Sequence, residues 1–142
     1  MNVYRRFNVE VLDEVGCGLL SGERATELCG ASFRRCGLDP ERMGEVSVVL
    51  VDAATIHDLN LRFRGKDAPT DVLSFELDGP YGEMVGEVVI CPECASPEMG
   101  VEELVVHGAL HLAGMDHGED FEGSEMARLQ AEVIEDAGGA RG

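Results

Sequence analysis

The chain has 142 residues, 44% of them hydrophobic and 27% charged, which is the size and composition of one folded domain spanning residues 1–142 and not of a disordered chain. No stretch reaches the ~18 to 20 apolar residues of a membrane span, and the N-terminus lacks the apolar core of a signal peptide, so a cytoplasmic location is expected. The formal net charge is −17, from 28 acidic and 11 basic residues, and this charge disfavours a general affinity for polyanions.

The first half of the chain alternates two predicted strands with two predicted helices. Each helix follows a side chain that can accept a hydrogen bond from the helix N-terminus, Ser21 in one case and Asp52 in the other, and each is expected to end at a glycine. The predicted segments are a strand at 3–12, a helix at 21–37, a strand at 45–51 and a helix at 52–65.

The second half begins with a predicted hairpin and ends with two predicted helices. Strands at 71–77 and 83–91 flank a turn that contains glycine and proline. Helical spacing then occupies 101–114, and an acidic helix is expected at 119–136. The order of these elements predicts an α+β fold, in which a small mixed sheet of about four strands carries the helices.

Three of the four histidines, His107, His111 and His117, fall within eleven residues. His107 and His111 are one helical turn apart, so their imidazoles lie about 40° apart on one helix face. Gly114 can end that helix in a left-handed turn and bring His117 back towards the other two. His57 stands alone on its predicted helix, and a structural role is expected for it.

This spacing is typical of a catalytic metal site. Three neutral imidazoles leave one tetrahedral position of a zinc ion open, whereas structural zinc sites are closed. An open position implies a bound water, whose pKa the metal can lower to roughly 7. The pattern predicts one Zn²⁺ per chain, although Ni²⁺ or another divalent transition metal would suit the same ligands.

The histidine spacing also matches the zinc-peptidase signature H-E-x-x-H-x-x-G-x-x-H at every position but one. Gly108 stands where those peptidases place the glutamate that acts as general base. The chain therefore lacks the proton shuttle of that mechanism. A small residue beside the metal would instead allow a bulky substrate or a strand backbone to come close.

Two further segments extend the pattern beyond the histidines. Residues 59–75 read LNLRFRGKDAPTDVLSF, and residues 86–91 read GEVVIC. With the histidine segment, they resemble the YbeY family of bacterial metal-dependent endoribonucleases, whose corresponding blocks are L-N-x-x-Y-R-x-x-D-x-P-T-D-V-L-S-F and G-D-I-V-I-C. The resemblance covers roughly residues 45–135. It departs from the family at Met115, where a tyrosine is usual, and at Glu87, which replaces an aspartate.

The resemblance implies a zincin-like metal helix within the α+β fold and an endoribonuclease that cleaves single-stranded RNA. The implied partners are precursors of ribosomal RNA and the small ribosomal subunit, including the 3′ end of its RNA, with neither DNA nor a membrane as partner. Two alternatives stay open. The chain can be a zinc metallopeptidase-like hydrolase, or a non-catalytic ribosome assembly factor whose metal only stabilises the fold.

Arg64 occupies the position of the family's motif arginine, and a guanidinium near a metal can hold a phosphate through two hydrogen bonds and offset transition-state charge. We therefore expect Arg64 to be catalytic, the structural alternative being an ion pair with Asp67 or Asp71. Arg62 and Lys66 complete the one dense basic cluster of the sequence. They are expected to bind RNA, although a solvated helix end explains them equally well.

The nucleophile and the general base stay open at this point. Metal-bound water, the RNA 2′-OH, or both can supply the nucleophile, since hydrolysis and transesterification use the same Lewis acid. Asp116 is either a base or orienting group beside His117, or a turn residue. The five cysteines, including the C-x-x-C of Cys91 and Cys94, are expected to be reduced thiols without a metal or redox role.

Overall fold

The computed structural model of the chain describes residues 7–80, 83–118 and 120–138. Within these ranges one sheet is formed by β1 (Val9–Asp13), β2 (Val46–Leu50), β3 (Val72–Asp78) and β4 (Met84–Ile90). The spatial order is β1-β2-β4-β3. β1, β2 and β4 are parallel, and β3 pairs antiparallel with β4 as the hairpin prediction required. The predicted small mixed sheet is confirmed.

Four α-helices accompany the sheet in the described ranges: α1 (Gly22–Arg35), α2 (Ala53–Arg64), α3 (Val101–Leu112) and α4 (Glu125–Gly138). Two short 3-10 turns, Pro40–Arg42 and Pro92–Cys94, lie in the connections. None of these helices is long and apolar enough to cross a membrane.

Opposite faces of the sheet carry different numbers of helices. Consecutive strand residues point to opposite faces, and on β2 the side chain of Val48 joins the core beneath α1, α3 and α4, whereas Val49 joins a smaller core beneath α2. On β4, Val88 and Val89 divide in the same way. The metal helix of the sequence prediction, α3, is therefore held between the sheet and two other helices.

The predicted helix starts are confirmed by their capping hydrogen bonds. Ser21 Oγ accepts from the Arg24 N–H at 3.0 Å, and Asp52 Oδ1 accepts from the Thr55 N–H at 2.8 Å. Each bond satisfies a backbone donor that has no partner within its helix. Arg24 also joins α1 to the first turn of α3, since its Nη2 lies 2.8 Å from Glu102 Oε1.

The last helix begins six residues later than the sequence predicted. It starts at Glu125 and not at 119, because Ser124 acts as its N-cap, with Oγ accepting from the Ala127 N–H at 3.1 Å. Residue 119 lies outside the described residues, and 120–124 form turns. The first strand is also shorter than predicted, since β1 spans Val9–Asp13 and residues 1–6 lie outside the described part.

Candidate metal centre

The three clustered histidines converge in space. α3 places His107 and His111 on one face with ring centroids 4.8 Å apart, and the His117 ring lies 5.2 Å and 5.3 Å from them. Gly114, with φ of +99°, makes the left-handed turn that returns the chain. One ring nitrogen from each histidine lies within 4.8 Å of the others, so the group can hold a metal ion.

Burial keeps two of these imidazoles, those of His107 and His111, in the form that binds a metal. His107 is only 8% exposed, and its desolvation, aided by the neighbouring His111, lowers its pKa to about 4. Burial also lowers the pKa of His111. Both rings are therefore neutral at pH 7, with a lone pair free on one nitrogen, and metal binding there does not have to displace a proton.

The Nδ1 atoms of the three rings have different surroundings. His107 Nδ1 lies 3.0 Å from Gln130 Oε1 of α4, and His111 Nδ1 lies 3.0 Å from the Met115 carbonyl oxygen. His117 Nδ1 is buried and has no hydrogen-bond partner in the described part of the chain. Each ring thus keeps at least one nitrogen free for a metal, and a set of three imidazole nitrogens fits a divalent transition metal such as zinc.

The departure from the family at Met115 leaves the histidine contact intact. His111 uses the backbone carbonyl of Met115 and not its side chain. That carbonyl is placed by the helix end, because the Met115 N–H donates to the Leu110 oxygen at 3.0 Å. A methionine can therefore replace a tyrosine here without loss of this hydrogen bond.

Phe121 forms an apolar wall on the histidine group. Its ring centroid lies 4.8 Å from that of His107 and 5.0 Å from that of His117, in edge-to-face arrangements. The sequence analysis missed this role because it assigned residue 121 to the last helix. The turn that precedes Ser124 is what aims Phe121 at the histidines.

Side chains of the sheet occupy the space beside Gly108. A β-carbon there would lie 2.5 Å from Val88 Cγ1 and 3.1 Å from Ser74 Oγ, and Ser74 Oγ donates to the Gly108 carbonyl oxygen at 3.1 Å. The small residue thus lets the sheet approach α3. The sequence analysis expected either a bulky substrate or a strand backbone close to Gly108, and the structure places strand side chains there.

A cavity of ≈ 390 Å³ adjoins two of the histidines. Arg64, at the end of α2, lines it together with His107 and His111, and its Nη2 donates to the Ser74 carbonyl oxygen at 3.1 Å. The other described residues that line it are Val72, Leu73, Ser74, Glu76, Leu112, Gly114, Met115 and Asp116. The fold therefore brings the motif arginine to the candidate metal centre.

Arg62 and Lys66 do not belong to this group of residues, and both are exposed. Arg62 Nη1 lies 3.4 Å from Asp58 one turn earlier in α2, with both side chains largely in solvent. An exposed pair of this kind contributes little to stability, so it does not hold Arg62 strongly in place.

Two carboxylates line the cavity, and they differ in their surroundings. Asp116 Oδ1 accepts from the His117 N–H at 2.8 Å. This bond, helped by the Gly118 N–H, lowers the pKa of Asp116. Glu76 is exposed at the same cavity, and the sequence analysis missed it. Glu76 lies two residues after Ser74 on β3, so both side chains lie on the same face of the sheet. This spacing could have predicted that Glu76 faces the site.

The remaining candidates lie apart from the centre. The fourth histidine, His57, has its Nε2 2.7 Å from Asp67 Oδ1 near the surface. All five cysteines are free, as predicted. Burial raises the pKa of Cys94 to about 11, so this thiol is protonated at neutral pH and poorly suited to redox chemistry.

Together, the mixed sheet, the three-histidine group and the arginine-lined cavity define a small α+β protein with a candidate metal centre open to one side. The chain belongs to the YbeY family: the family model described as endoribonuclease YbeY matches residues 23–138. It is 72% identical over 130 residues to the Endoribonuclease YbeY of Rubrobacter xylanophilus, covering 91% of this chain and 95% of that one.

Similarity extends to a solved structure. The solution structure of TM1509 from Thermotoga maritima superimposes with a TM-score of 0.55 at 33% sequence identity. The match covers 94% of this chain and 91% of that one. The family assigned from the sequence motifs is confirmed by the family model over residues 23–138 and by the Rubrobacter relative over 91% of this chain.

Proposed function

We propose that the chain is a zinc-dependent endoribonuclease that cleaves single-stranded RNA during ribosomal RNA maturation, including the 3′ end of small-subunit RNA. It would act in the cytoplasm as a single domain spanning residues 1–142. The observation that carries the proposal is the meeting of Arg64 with His107 and His111 at one cavity, in a chain that belongs to an endoribonuclease family.

The metal ligands in this proposal are His107, His111 and His117. The neutral rings of His107 and His111 and the close approach of all three side chains support the assignment. A zinc ion held there would supply Lewis acidity towards a phosphate oxygen at neutral pH. Phe121 covers two of the three rings, which limits the access of water from that side and strengthens electrostatic interactions within the site.

Arg64 is the proposed catalytic residue. One of its N–H groups is held by the Ser74 carbonyl, and a guanidinium has five such donors in a rigid plane. The remaining donors can hold two oxygens of one phosphate and stabilise the negative charge that grows in the transition state. The proposed role depends on Arg64 being fixed by the edge strand β3 before substrate arrives.

Arg62 and Lys66 are proposed to bind neighbouring phosphates of the RNA. Both flank Arg64 at the C-terminal end of α2. Since residues two apart on a helix point to different sides, a phosphate bound by Arg62 is not the one that contacts Arg64. Positive charge is scarce elsewhere, since the other eight basic residues are outnumbered by 28 acidic ones in a chain of net charge −17. This scarcity favours a substrate engaged at few phosphates, and it supports single-stranded RNA over a long duplex.

Endonucleolytic cleavage is the test of the proposed function. Zinc-loaded protein is incubated separately with single-stranded RNA, duplex RNA, single-stranded DNA and casein. We expect internal fragments from single-stranded RNA only. Fragments from casein would support the metallopeptidase alternative, and no cleavage of any substrate would support the non-catalytic assembly factor.

A matched pair of variants separates the protein's own activity from a contaminating ribonuclease. His111→Ala removes a proposed ligand, whereas His57→Ala removes the histidine that lies apart from the cluster. Cleavage that disappears in the first variant and persists in the second belongs to the histidine site. Equal cleavage by both variants would contradict the proposal.

A further inference from the structure

Gln130 is a polar residue in an apolar stripe. On α4 the buried side chains are Met126, Gln130 and Val133, which recur at helical spacing towards the core. Gln130 is only 7% exposed. A buried amide costs free energy unless it is hydrogen-bonded, and its carbonyl oxygen Oε1 lies 3.0 Å from His107 Nδ1.

We propose that Gln130 is a positioning residue for the candidate metal centre, which accepts the Nδ1–H of His107 and so leaves Nε2 unprotonated for the metal. This inference rests on the proposed function, since it assigns His107 as a ligand. It adds a contribution from α4, a helix that carries none of the three histidines.

The physical reason lies in the two neutral forms of imidazole. A neutral ring has one N–H and one lone pair, and the hydrogen bond made by one nitrogen decides which form is present. An acceptor at Nδ1 keeps the proton there. His107 is buried beneath Phe121 and α4, so water is poorly placed to replace Gln130 in this role.

The three histidines differ in how their orientation is fixed. His111 relies on a backbone carbonyl, which no substitution removes, and His117 Nδ1 has no partner among the described residues. In the described part of the chain, His107 is the one member whose Nδ1 contacts a side chain. Metal affinity should therefore be unusually sensitive to residue 130 among positions that do not bind the metal.

The test compares two substitutions at residue 130. Gln130→Met keeps the length of the side chain and removes the acceptor, whereas Gln130→Glu keeps an acceptor at the same place. Val133→Ala is the matched control, because it weakens the same buried face of α4 without removing a hydrogen bond to a histidine. Zinc dissociation constants are measured by competition with a chromophoric chelator, alongside the melting temperature of each metal-free protein.

We expect Gln130→Met to weaken zinc binding about 10- to 100-fold, the range found when such outer hydrogen bonds are removed. Gln130→Glu should bind zinc at least as tightly as the wild type, because a carboxylate acceptor raises the basicity of the ring. Val133→Ala should lower the melting temperature and leave the zinc dissociation constant unchanged. Equal zinc affinity in Gln130→Met and wild type would overturn the inference.

A second readout does not depend on zinc at all. Nitrogen-15 NMR of the metal-free protein reports which imidazole nitrogen of His107 carries the proton. We expect the Nδ1–H form in the wild type and in Gln130→Glu, and a mixture of both forms in Gln130→Met. An Nε2–H form in the wild type would overturn the inference even if RNA is cleaved. The expected forms would uphold the Gln130–His107 contact even if RNA is not cleaved.

Discussion

Gly108 and Val88 approach so closely that a β-carbon on Gly108 would lie 2.5 Å from Val88 Cγ1. Non-bonded carbon atoms are most stable at about 3.5 to 4.0 Å, so α3 can rest on β4 only because residue 108 has no side chain. The same residue stands where zinc peptidases carry their catalytic glutamate. In this fold that position faces the side chains of Val88 and Ser74 on the sheet.

Gly108→Glu restores the peptidase signature, and we expect it to produce no casein cleavage. The new carboxylate has no room beside Val88 and Ser74, so it should destabilise the fold by about 1–3 kcal/mol or more. Casein assays and urea denaturation measure the two effects. Adding Val88→Ala to Gly108→Glu should recover part of the lost stability. If the changes in unfolding free energy of the two single variants simply add in the double variant, the two residues do not clash.

His111→Ala should abolish stoichiometric zinc binding, because two imidazoles bind zinc poorly in a site arranged for three. Metal analysis after gel filtration gives the ratio of zinc to protein, with about one ion per chain expected for the wild type. His57→Ala, which removes an exposed histidine paired with Asp67, should keep full occupancy. Full occupancy in His111→Ala would remove this residue from the ligand set.

Arg64→Ala should depress cleavage far more than RNA binding, because a contact that strengthens in the transition state contributes mainly to the rate. Arg62→Ala and Lys66→Ala should weaken binding modestly and leave the turnover of bound RNA nearly intact. Single-turnover rates at saturating protein separate the two effects. Equal rates for Arg64→Ala and wild type would remove Arg64 from catalysis.

RNA affinity should depend only weakly on salt. If three basic side chains and the metal provide the phosphate contacts, the slope of log affinity against log salt for a single strand should have a magnitude of about 2 to 3. Salt also screens the repulsion from 28 acidic residues, which flattens the slope further. A binding titration across salt concentrations measures it, and a steep negative slope would reveal an additional basic surface.

The metal-free protein should lose stability as pH falls from about 6.5 to about 4. Burial lowers the pKa of folded His107 to about 4, while the unfolded chain titrates near 6.5. In this window the unfolded state binds a proton that the folded state does not, so acid favours unfolding, by at most about 3 kcal/mol from His107. The lowered pKa of His111 acts in the same direction.

Urea denaturation of the zinc-free protein between pH 7 and pH 4 measures this dependence. Acidic residues also titrate near the lower end of this pH range. The informative quantity is therefore the difference between wild type and His107→Gln in how much unfolding free energy each loses from pH 7 to pH 4. The variant lacks the buried group and should lose less stability over the same window. An identical pH dependence in both proteins would show that His107 does not titrate as its burial requires.

Much of the fold followed from local chemistry that the sequence displays directly. Ser21 and Asp52 cap helices because their side-chain oxygens reach backbone donors three residues away. The hairpin of β3 and β4 followed from its turn residues and alternating pattern, and the closeness of His107 and His111 followed from helical periodicity alone. In each case the determining interactions lie within a few residues of one another.

Contacts between distant segments were decided only in the tertiary structure. Gln130 meets His107 across 23 residues of chain, and Ser74 meets Gly108 across 34. The sequence shows Gln130 as a polar residue on an apolar helix face and Gly108 as a glycine beside a histidine. Neither feature predicts which distant residue it contacts. The sequence pattern placed Phe121 in the last helix, whereas the Ser124 cap starts that helix at Glu125 and leaves Phe121 in the preceding loop, against His107 and His117.

The amino-acid sequence alone determined the identity of the candidate ligands and the α+β class, since periodicity and residue type are sufficient for both. Tertiary structure alone determined that Val88 and Ser74 pack against Gly108, that Glu76 lines the same cavity as Arg64, and which groups orient the imidazoles. The reason is physical: these properties depend on how helices and sheet pack together, and packing is set by the shapes of side chains that are far apart in the chain.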